Sequence, residues 1–376
     1  MRTCLLINNS PQPGRARLAK LGGGGMSLLG LMSKLPEYGW QPHVVVPGEG
    51  QFTEHARALG LPVEVYPFQP LTASRPLACA LGTLHWYRLF RRVRPAIIHG
   101  NGFDLSRSFA LAAGLAGIPY VTHVRFPVDE AGARWTLHGL PKPAAFIFNS
   151  QAMRDALWPL LQRMTPRSRP YVVHNAVDLE RFPHAPLPAT PPFRVGIVAN
   201  FAPFKRHEDF LRMAAILLGH RTDLAFWIVG EDTEGTGRRA QLEQLTRSLG
   251  IEAHVQFLGH RTDIPDILRQ LFVLIVPSQF EPFGRVVVEA MACGRPVIGS
   301  RSGGIPEIIE DGKTGFLRNV GDVHGFAEAV LTLLSNPTLW AQMSLNAAQC
   351  AHQRFALPAH TQAITAIYDE VLQARS

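Results

Sequence analysis

The sequence predicts an α/β protein made of two Rossmann-like, doubly wound domains, and three observations carry that expectation. Short apolar runs alternate with segments of helical period from end to end, the pattern of βαβ units feeding a parallel sheet. A polar, proline-rich stretch, His184-Ala-Pro-Leu-Pro-Ala-Thr-Pro-Pro192, interrupts the alternation, which then restarts. The length, 376 residues, exceeds what one average core needs at about 150 residues per domain.

In the first half, strands are expected near Thr3 to Asn8, His43 to Val46, Pro62 to Val65, Ala96 to His99, Tyr120 to His123, Ala145 to Phe148 and Tyr171 to His174, at intervals of about a helix. Proline lacks an N–H and fixes φ, so the stretch from His184 to Pro192 can carry neither a helix nor a central strand, and the domain linker is placed there. The second set is expected at Arg194 to Ala199, Ala225 to Gly230, Val255 to Leu258, Phe272 to Pro277 and Pro296 to Gly299. The domains are therefore drawn as 1–185 and 193–355. The tail, 356–376, carries Ile364, Ile367, Tyr368, Val371 and Leu372 at helical spacing after Pro358, a helix that either caps its own domain or crosses to the first.

An apolar share of 46% with 18% charged residues belongs to a globular protein, not a disordered or fibrous one. The net charge of +8 favours anionic partners, but no basic helix with interleaved aromatics is present, so nucleic acid is not expected. Cys4, Cys79, Cys293 and Cys350 have no CxxC spacing and read as free, buried thiols in a reducing cytoplasm. Met1 to Asn9 is too short for a signal core, and no run reaches the ~18 apolar residues of a membrane span, so any membrane contact is expected to be peripheral, at the inner face.

Doubly wound sheets bind ligands at strand carboxyl ends, where helix N-termini favour anions. Gly22-Gly23-Gly24-Gly25 precedes a helix, and its glycines let a phosphate or sugar approach the backbone. Lys205 stands where the first strand of the second domain hands over to a helix, adding an ammonium to the dipole. The string Pro277-Ser-Gln-Phe-Glu-Pro-Phe-Gly-Arg-Val-Val-Val-Glu-Ala-Met-Ala-Cys-Gly-Arg-Pro-Val297, then Ser302-Gly-Gly-Ile-Pro-Glu307, places Glu281 after a strand and Glu289 about a turn and a half into a helix. A carboxylate on that apolar face is costly unless it binds something, and paired ribose hydroxyls are natural donors to it. No Asp-x-Asp or His-Glu-x-x-His occurs, so no metal is expected.

These motifs, with Arg94-Pro-Ala-Ile-Ile-His99, His174-Asn-Ala-Val-Asp-Leu-Glu-Arg-Phe182, Ile228-Val-Gly-Glu231 and Phe257-Leu-Gly-His260, make the chain resemble the family 4 glycosyltransferases of the GT-B fold over nearly its whole length. The resemblance implies two Rossmann-like domains facing across a cleft. It also implies a retaining transfer from a nucleotide-diphosphate sugar (UDP- or GDP-sugar), the only co-substrate, to a hydroxyl on a bacterial cell-surface glycan or lipid-linked saccharide. It assigns the ribose to Glu289, the donor sugar to Glu281, Phe283 and Gly284, the diphosphate to Lys205, and a place near the reacting sugar to His123. Catalytic roles are expected of His123, Lys205 and Glu281. Donor contacts are expected of Gly23, Gly24, Arg125, Asn200, Arg206, Gly259 and His260 as well.

Two departures stand out: Asn200 where the family often has Arg, and Arg206 where Gly often follows the lysine. Arg206, or Arg125 across the cleft, is therefore expected to share the diphosphate with Lys205. His99, Asn101, Asn149, Ser150 and Asn175 are read as cleft-lining or turn residues. The leaving phosphate of such enzymes is thought to accept the acceptor's proton, so catalysis would be positioning and leaving-group electrostatics. The alternatives are a nucleotide-sugar epimerase of the same fold and an inactive sugar-nucleotide-binding homologue. A first domain with Arg75, Arg88, Arg91, Arg92 and Arg94 beside Leu84, Trp86, Tyr87, Leu89 and Phe90 is either membrane-facing or an amphipathic core helix.

Overall fold

A computed structural model describes residues 1–9, 22–187, 190–233 and 235–374. The chain divides into two compact units, Met1–Ala176 with Leu357–Ser376, and Val177–Ala356.

The first unit holds seven parallel strands, β1 (Arg2–Ile7), β2 (Trp40–Val46), β3 (Val63–Val65), β4 (Ile97–Gly100), β5 (Tyr120–Val124), β6 (Ala145–Phe148) and β7 (Arg169–Val172), in the order β3-β2-β1-β4-β5-β6-β7. Helices cover both faces, so the central strands are apolar without alternation: Cys4 to Ile7 of β1 are all fully buried. The last helix, Leu357–Gln373, belongs to this unit and starts one residue before Pro358, which the first helical turn tolerates because its N–H would be unbonded anyway. Its stripe of Ile364, Ile367, Tyr368 and Val371 is buried in the core formed by Leu28, Met32 and Trp40.

The second unit holds β8 (Phe193–Val198), β9 (Leu224–Val229), β10 (Val255–Gly259), β11 (Val273–Val276), β12 (Val297–Ser300) and β13 (Gly315–Arg318), parallel in the order β10-β9-β8-β11-β12-β13. β13 was not expected: it is a four-residue edge strand with only Phe316 and Leu317 as strongly apolar members, too short for a pattern. The strand order reverses between β1 and β4, and again between β8 and β11, and crevices for ligands open at such points.

The division between units falls at Ala176/Val177, not in the proline-rich stretch. Leu179 and Phe182 are buried in the second core, and the carbonyls of Ala185 and Pro186 accept hydrogen bonds from the buried guanidinium of Arg295. That stretch is thus fastened to the second unit, although residues 188 and 189 lie outside the described ones. Cys79 also departs from expectation: it is half-buried, its Sγ between the N–H and the carbonyl of Thr72.

Candidate active site

At the switch point of the second unit, β8 ends and passes through Asn200 to a short turn, Pro203–Lys205, before the helix His207–Leu218. Across the crevice, β11 runs into Pro277 and Ser278, and the N–H of Gln279 donates to the carbonyl of Phe204 at 2.7 Å, tying the two loops together. Lys205 and Glu281 form an ion pair with side chains only 17% and 14% exposed, and Ser278 Oγ donates to Glu281 at 3.4 Å. The expected diphosphate lysine and the expected sugar-binding carboxylate therefore meet directly.

Glycine makes this meeting possible. Gly284 caps the helix Arg285–Ala292 at φ +101°, and Gly303 at φ +58° sits where a Cβ would lie 2.2 Å from the carbonyl oxygen of Glu281. The same carbonyl accepts the N–H of Gly304 at 2.8 Å, and Ser302 Oγ donates to the carbonyl of Gln279 at 2.7 Å. The loop of residues 278–284 is thus clasped by the Ser-Gly-Gly turn at the positive end of a helix. One turn on, Glu289 is 13% exposed and paired with Arg285 at 3.0 Å.

Other expected donor residues behave differently. Phe283 is buried and meets Phe355 edge-on at 5.8 Å, so its ring packs the core and a contact to the donor sugar is left to its backbone. Arg206 adopts the left-handed region at φ +56° where the family often has glycine, and its guanidinium is paired with the buried carboxylate of Asp209. Asn200 and His260 are exposed at the ends of β8 and β10. His260 stands 3.9 Å from Glu231, and the Gly259 carbonyl accepts the N–H of Gly230 at 2.9 Å.

In the first unit, Gly22 precedes the helix Gly23–Lys34, whose first turn contains no acid. A cavity of about 520 Å³ opens there, lined by Asn8, Gly22 to Gly25, Asn101, Phe126 and Arg125 among others. Arg125 is 6% exposed, with Nε donating to Asn101 at 2.7 Å, one Nη to Asn175 at 2.8 Å and the other to His123 Nδ1 at 3.3 Å. Its stem packs on Gly24, where a Cβ would lie 3.0 Å away.

A guanidinium can only donate, so His123 Nδ1 accepts and the ring's proton sits on Nε2. That Nε2 is buried and has no partner among the described residues. Burial first, then Arg125 and the neighbouring His99, hold the His123 pKa well below its usual value, so the ring is neutral. His99 stacks on it at 5.6 Å, is hydrogen-bonded to Tyr368 and is pushed down to about 3, mainly by burial.

Several partners were not singled out as functional from the sequence. Arg285 pairs with Glu289, a four-residue spacing legible in hindsight, whereas Asn101 and Asn175 accept from Arg125, and Asn8 accepts from Asn101, at strand ends that only the sheet order brings together. Ser150 caps the helix Gln151–Met164, as a turn residue should. Among the described residues, no group of three or more His, Cys, Asp or Glu side chains is placed to hold a metal.

Comparison with known proteins places this geometry in a family. Residues 180–349 match the model described as "Glycosyl transferases group 1", and residues 21–181 match "Glycosyltransferase Family 4". An N-acetyl-alpha-D-glucosaminyl L-malate synthase of Bacillus anthracis is 34% identical over 47% of this chain and 45% of its own length. A D-inositol 3-phosphate glycosyltransferase of Streptomyces avermitilis is 32% identical over 70% of this chain and 63% of its own. The chain thus spans about half to two-thirds of these relatives. A D-inositol 3-phosphate glycosyltransferase 2 of Catenulispora acidiphila is 32% identical over 74% of this chain and 71% of its own. Among solved structures, Anabaena HepE with UDP-glucose has a TM-score of 0.81 at 24% identity, covering 98% of this chain and 100% of HepE. A Rickettsia africae glycosyltransferase reaches 0.83 at 16% identity, covering 99% and 98%. Two Rossmann-like parallel sheets, the paired Lys205 and Glu281, and these matches over both halves agree: the chain belongs to the family 4 glycosyltransferases, of the GT-B fold.

Proposed function

We propose that the protein is a retaining, metal-independent glycosyltransferase that moves a hexosyl group from a nucleotide-diphosphate sugar to a hydroxyl of a bacterial cell-surface glycan or lipid-linked saccharide. The observation that carries this reading is the half-buried Lys205–Glu281 pair at the carboxyl ends of β8 and β11, beside the helix N-terminus capped by Gly284. Lys205 offers charge where the leaving diphosphate gains it, and Glu281 accepts hydrogen bonds from the sugar hydroxyls. Glu289 holds the ribose. The anomeric carbon's bond to the β-phosphate oxygen breaks, the acceptor oxygen bonds to that carbon on the same face, and the acceptor's proton passes to the leaving phosphate.

In the first unit, His123 stands behind Arg125 near the reacting sugar, and because its pKa is depressed it is neutral, a hydrogen-bond donor through its buried Nε2–H and not an acid. Arg125, held by Asn101 and Asn175 beside Gly23 and Gly24, serves the phosphates. HepE was solved with UDP and with UDP-glucose, which favours a UDP-sugar, with a GDP-sugar second. Free cysteines throughout favour the cytoplasm.

A panel of UDP- and GDP-sugars scored by thermal shift tests the donor, since a ligand bound only by the native state raises the midpoint. UDP-glucose or a related donor is expected to raise it, with nucleotide released only when acceptor is present and with activity kept in EDTA. Release without acceptor would indicate an epimerase or hydrolase. No shift with any donor, or loss of activity on chelation restored by manganese, would overturn the reading.

A further inference from the structure

We infer that one face of the first unit, formed by the outer sides of the helices Pro76–Val93 and Ser106–Leu115, docks on an anionic lipid bilayer. Five leucines on it face solvent. Leu77, Leu81 and Leu115 are 80%, 67% and 65% exposed, and Leu84 and Leu111 are exposed too. On the first helix the exposed residues Leu77, Leu81, Leu84, Arg88 and Arg91 repeat at intervals of four and three, so they form a single stripe. The opposite stripe, Trp86, Leu89 and Phe90, is buried in the core. Of the apolar neighbours read from the sequence as membrane-facing or core, Trp86, Leu89 and Phe90 are thus core, while Leu84 stays exposed with the other leucines. Leu84, Leu111 and Leu115 also line one cavity of about 810 Å³ between the two helices, open enough to receive an apolar chain.

A leucine patch of this kind is uncommon on a lone surface and marks an interaction site. Charge identifies the partner. From Val65 to Val128 the chain carries seven arginines and one carboxylate, Asp104. Arg92 is paired with Glu64, Arg107 is bound to the carbonyls of Leu71 and Trp135, and Arg125 is buried, while Arg75, Arg88, Arg91 and Arg94 are exposed. A second copy meeting this face through a twofold axis would set arginine against arginine with almost no carboxylate to answer it. An anionic leaflet supplies both the negative charge and the apolar phase. Why a transferase should sit at a bilayer rests on the lipid-linked acceptor proposed above; where it does so follows from these side chains alone.

The test is co-sedimentation of the purified full chain with vesicles of neutral phosphatidylcholine, with or without a third of phosphatidylglycerol. Binding is expected to the anionic vesicles only, and to weaken as salt rises from about 0.01 M to about 1 M, over which the Debye length shrinks from about 30 Å to about 3 Å. Leu81→Gln with Leu115→Gln should reduce partitioning at least about ten-fold, since each side chain loses its apolar burial. Arg88→Gln and Arg91→Gln should each reduce it about five-fold. All four positions are exposed, so far-ultraviolet circular dichroism and the thermal midpoint should stay unchanged. Absent or equal binding to the two vesicle types would overturn the docking. So would leucine variants that bind as wild type does, or that convert a dimer to a monomer in analytical ultracentrifugation without affecting vesicles. Donor-induced thermal shifts are read separately: a chain that binds UDP-sugar but not vesicles refutes the docking alone, and the reverse refutes the donor reading alone.

Discussion

Lys205 and Glu281 show how two side chains acquire a joint role. Seventy-six residues apart, they are brought together because β8 and β11 are neighbours and their loops are tied by the bond from Gln279 to Phe204. A lysine contact to the leaving diphosphate strengthens as charge develops, whereas a ribose contact is nearly the same in ground and transition states. Lys205→Ala is therefore expected to lower kcat about 100-fold or more. Glu289→Ala should instead raise the donor KM about 10- to 100-fold with kcat within a few-fold, as lost hydrogen bonds to a charged group would. Steady-state kinetics with varied donor checks both, and a Glu289 variant with unchanged KM and collapsed kcat would contradict its assignment. Arg206, expected to share the diphosphate, also pairs its guanidinium with Asp209, and its backbone is left-handed at φ +56°. The three-residue spacing of that pair is in the letters, but it becomes a contact only because the helix His207–Leu218 starts where it does.

Among the elements, the turn of residues 302–304 does more than its length suggests. Gly303 combines a left-handed φ with a backbone neighbour 2.2 Å from any added Cβ, whereas Gly312 has a left-handed φ of +77° and open space around it. Gly312→Ala should cost about 1–2 kcal/mol from backbone conformation alone. Gly303→Ala adds a clash with the Glu281 carbonyl, so it should be clearly the more destabilising and also abolish the donor-induced thermal shift. Equal midpoints for the two variants, with the donor shift retained, would mean that the turn does not clasp the site. The glycines were visible in the sequence as Ser302-Gly-Gly, but the carbonyl they close upon was not. The long, wholly apolar strands were equally visible, while the edge strand β13 and the true start of the last helix were not, since a short edge strand carries no period and Pro358 masks a first turn that it in fact permits.

Over the whole molecule, neutral buried histidines set the response to acid. His99 is pushed down to about 3 and His207 to about 4, both mainly by burial, and His123 lies well below its usual value. Each stays unprotonated when folded but binds a proton near pH 6.5 when unfolded, so its contribution is whole above pH 6.5 and is lost as pH falls toward the folded value. Stability should decline below pH 6.5 by about 1.4 kcal/mol per unit for each histidine, before most carboxylates titrate. His99 and His123 lie in the first unit and His207 in the second, so the first unit should be the more acid-sensitive. Calorimetry between pH 7 and 5, with proton uptake measured in buffers of different ionisation enthalpy, checks this; midpoints that do not move with pH would refute it. The chain by itself determined the two parallel sheets, the family and the glycine-rich and acidic motifs, because hydrophobic period, turn chemistry and contiguous motifs are local and are written in neighbouring letters. Only the tertiary structure decided which cation answers which carboxylate, which leucines face water, that residues 177–187 belong to the second unit and that the last helix belongs to the first. Those outcomes follow from strand order, helix starts and burial, which act over distances that neighbouring letters do not record.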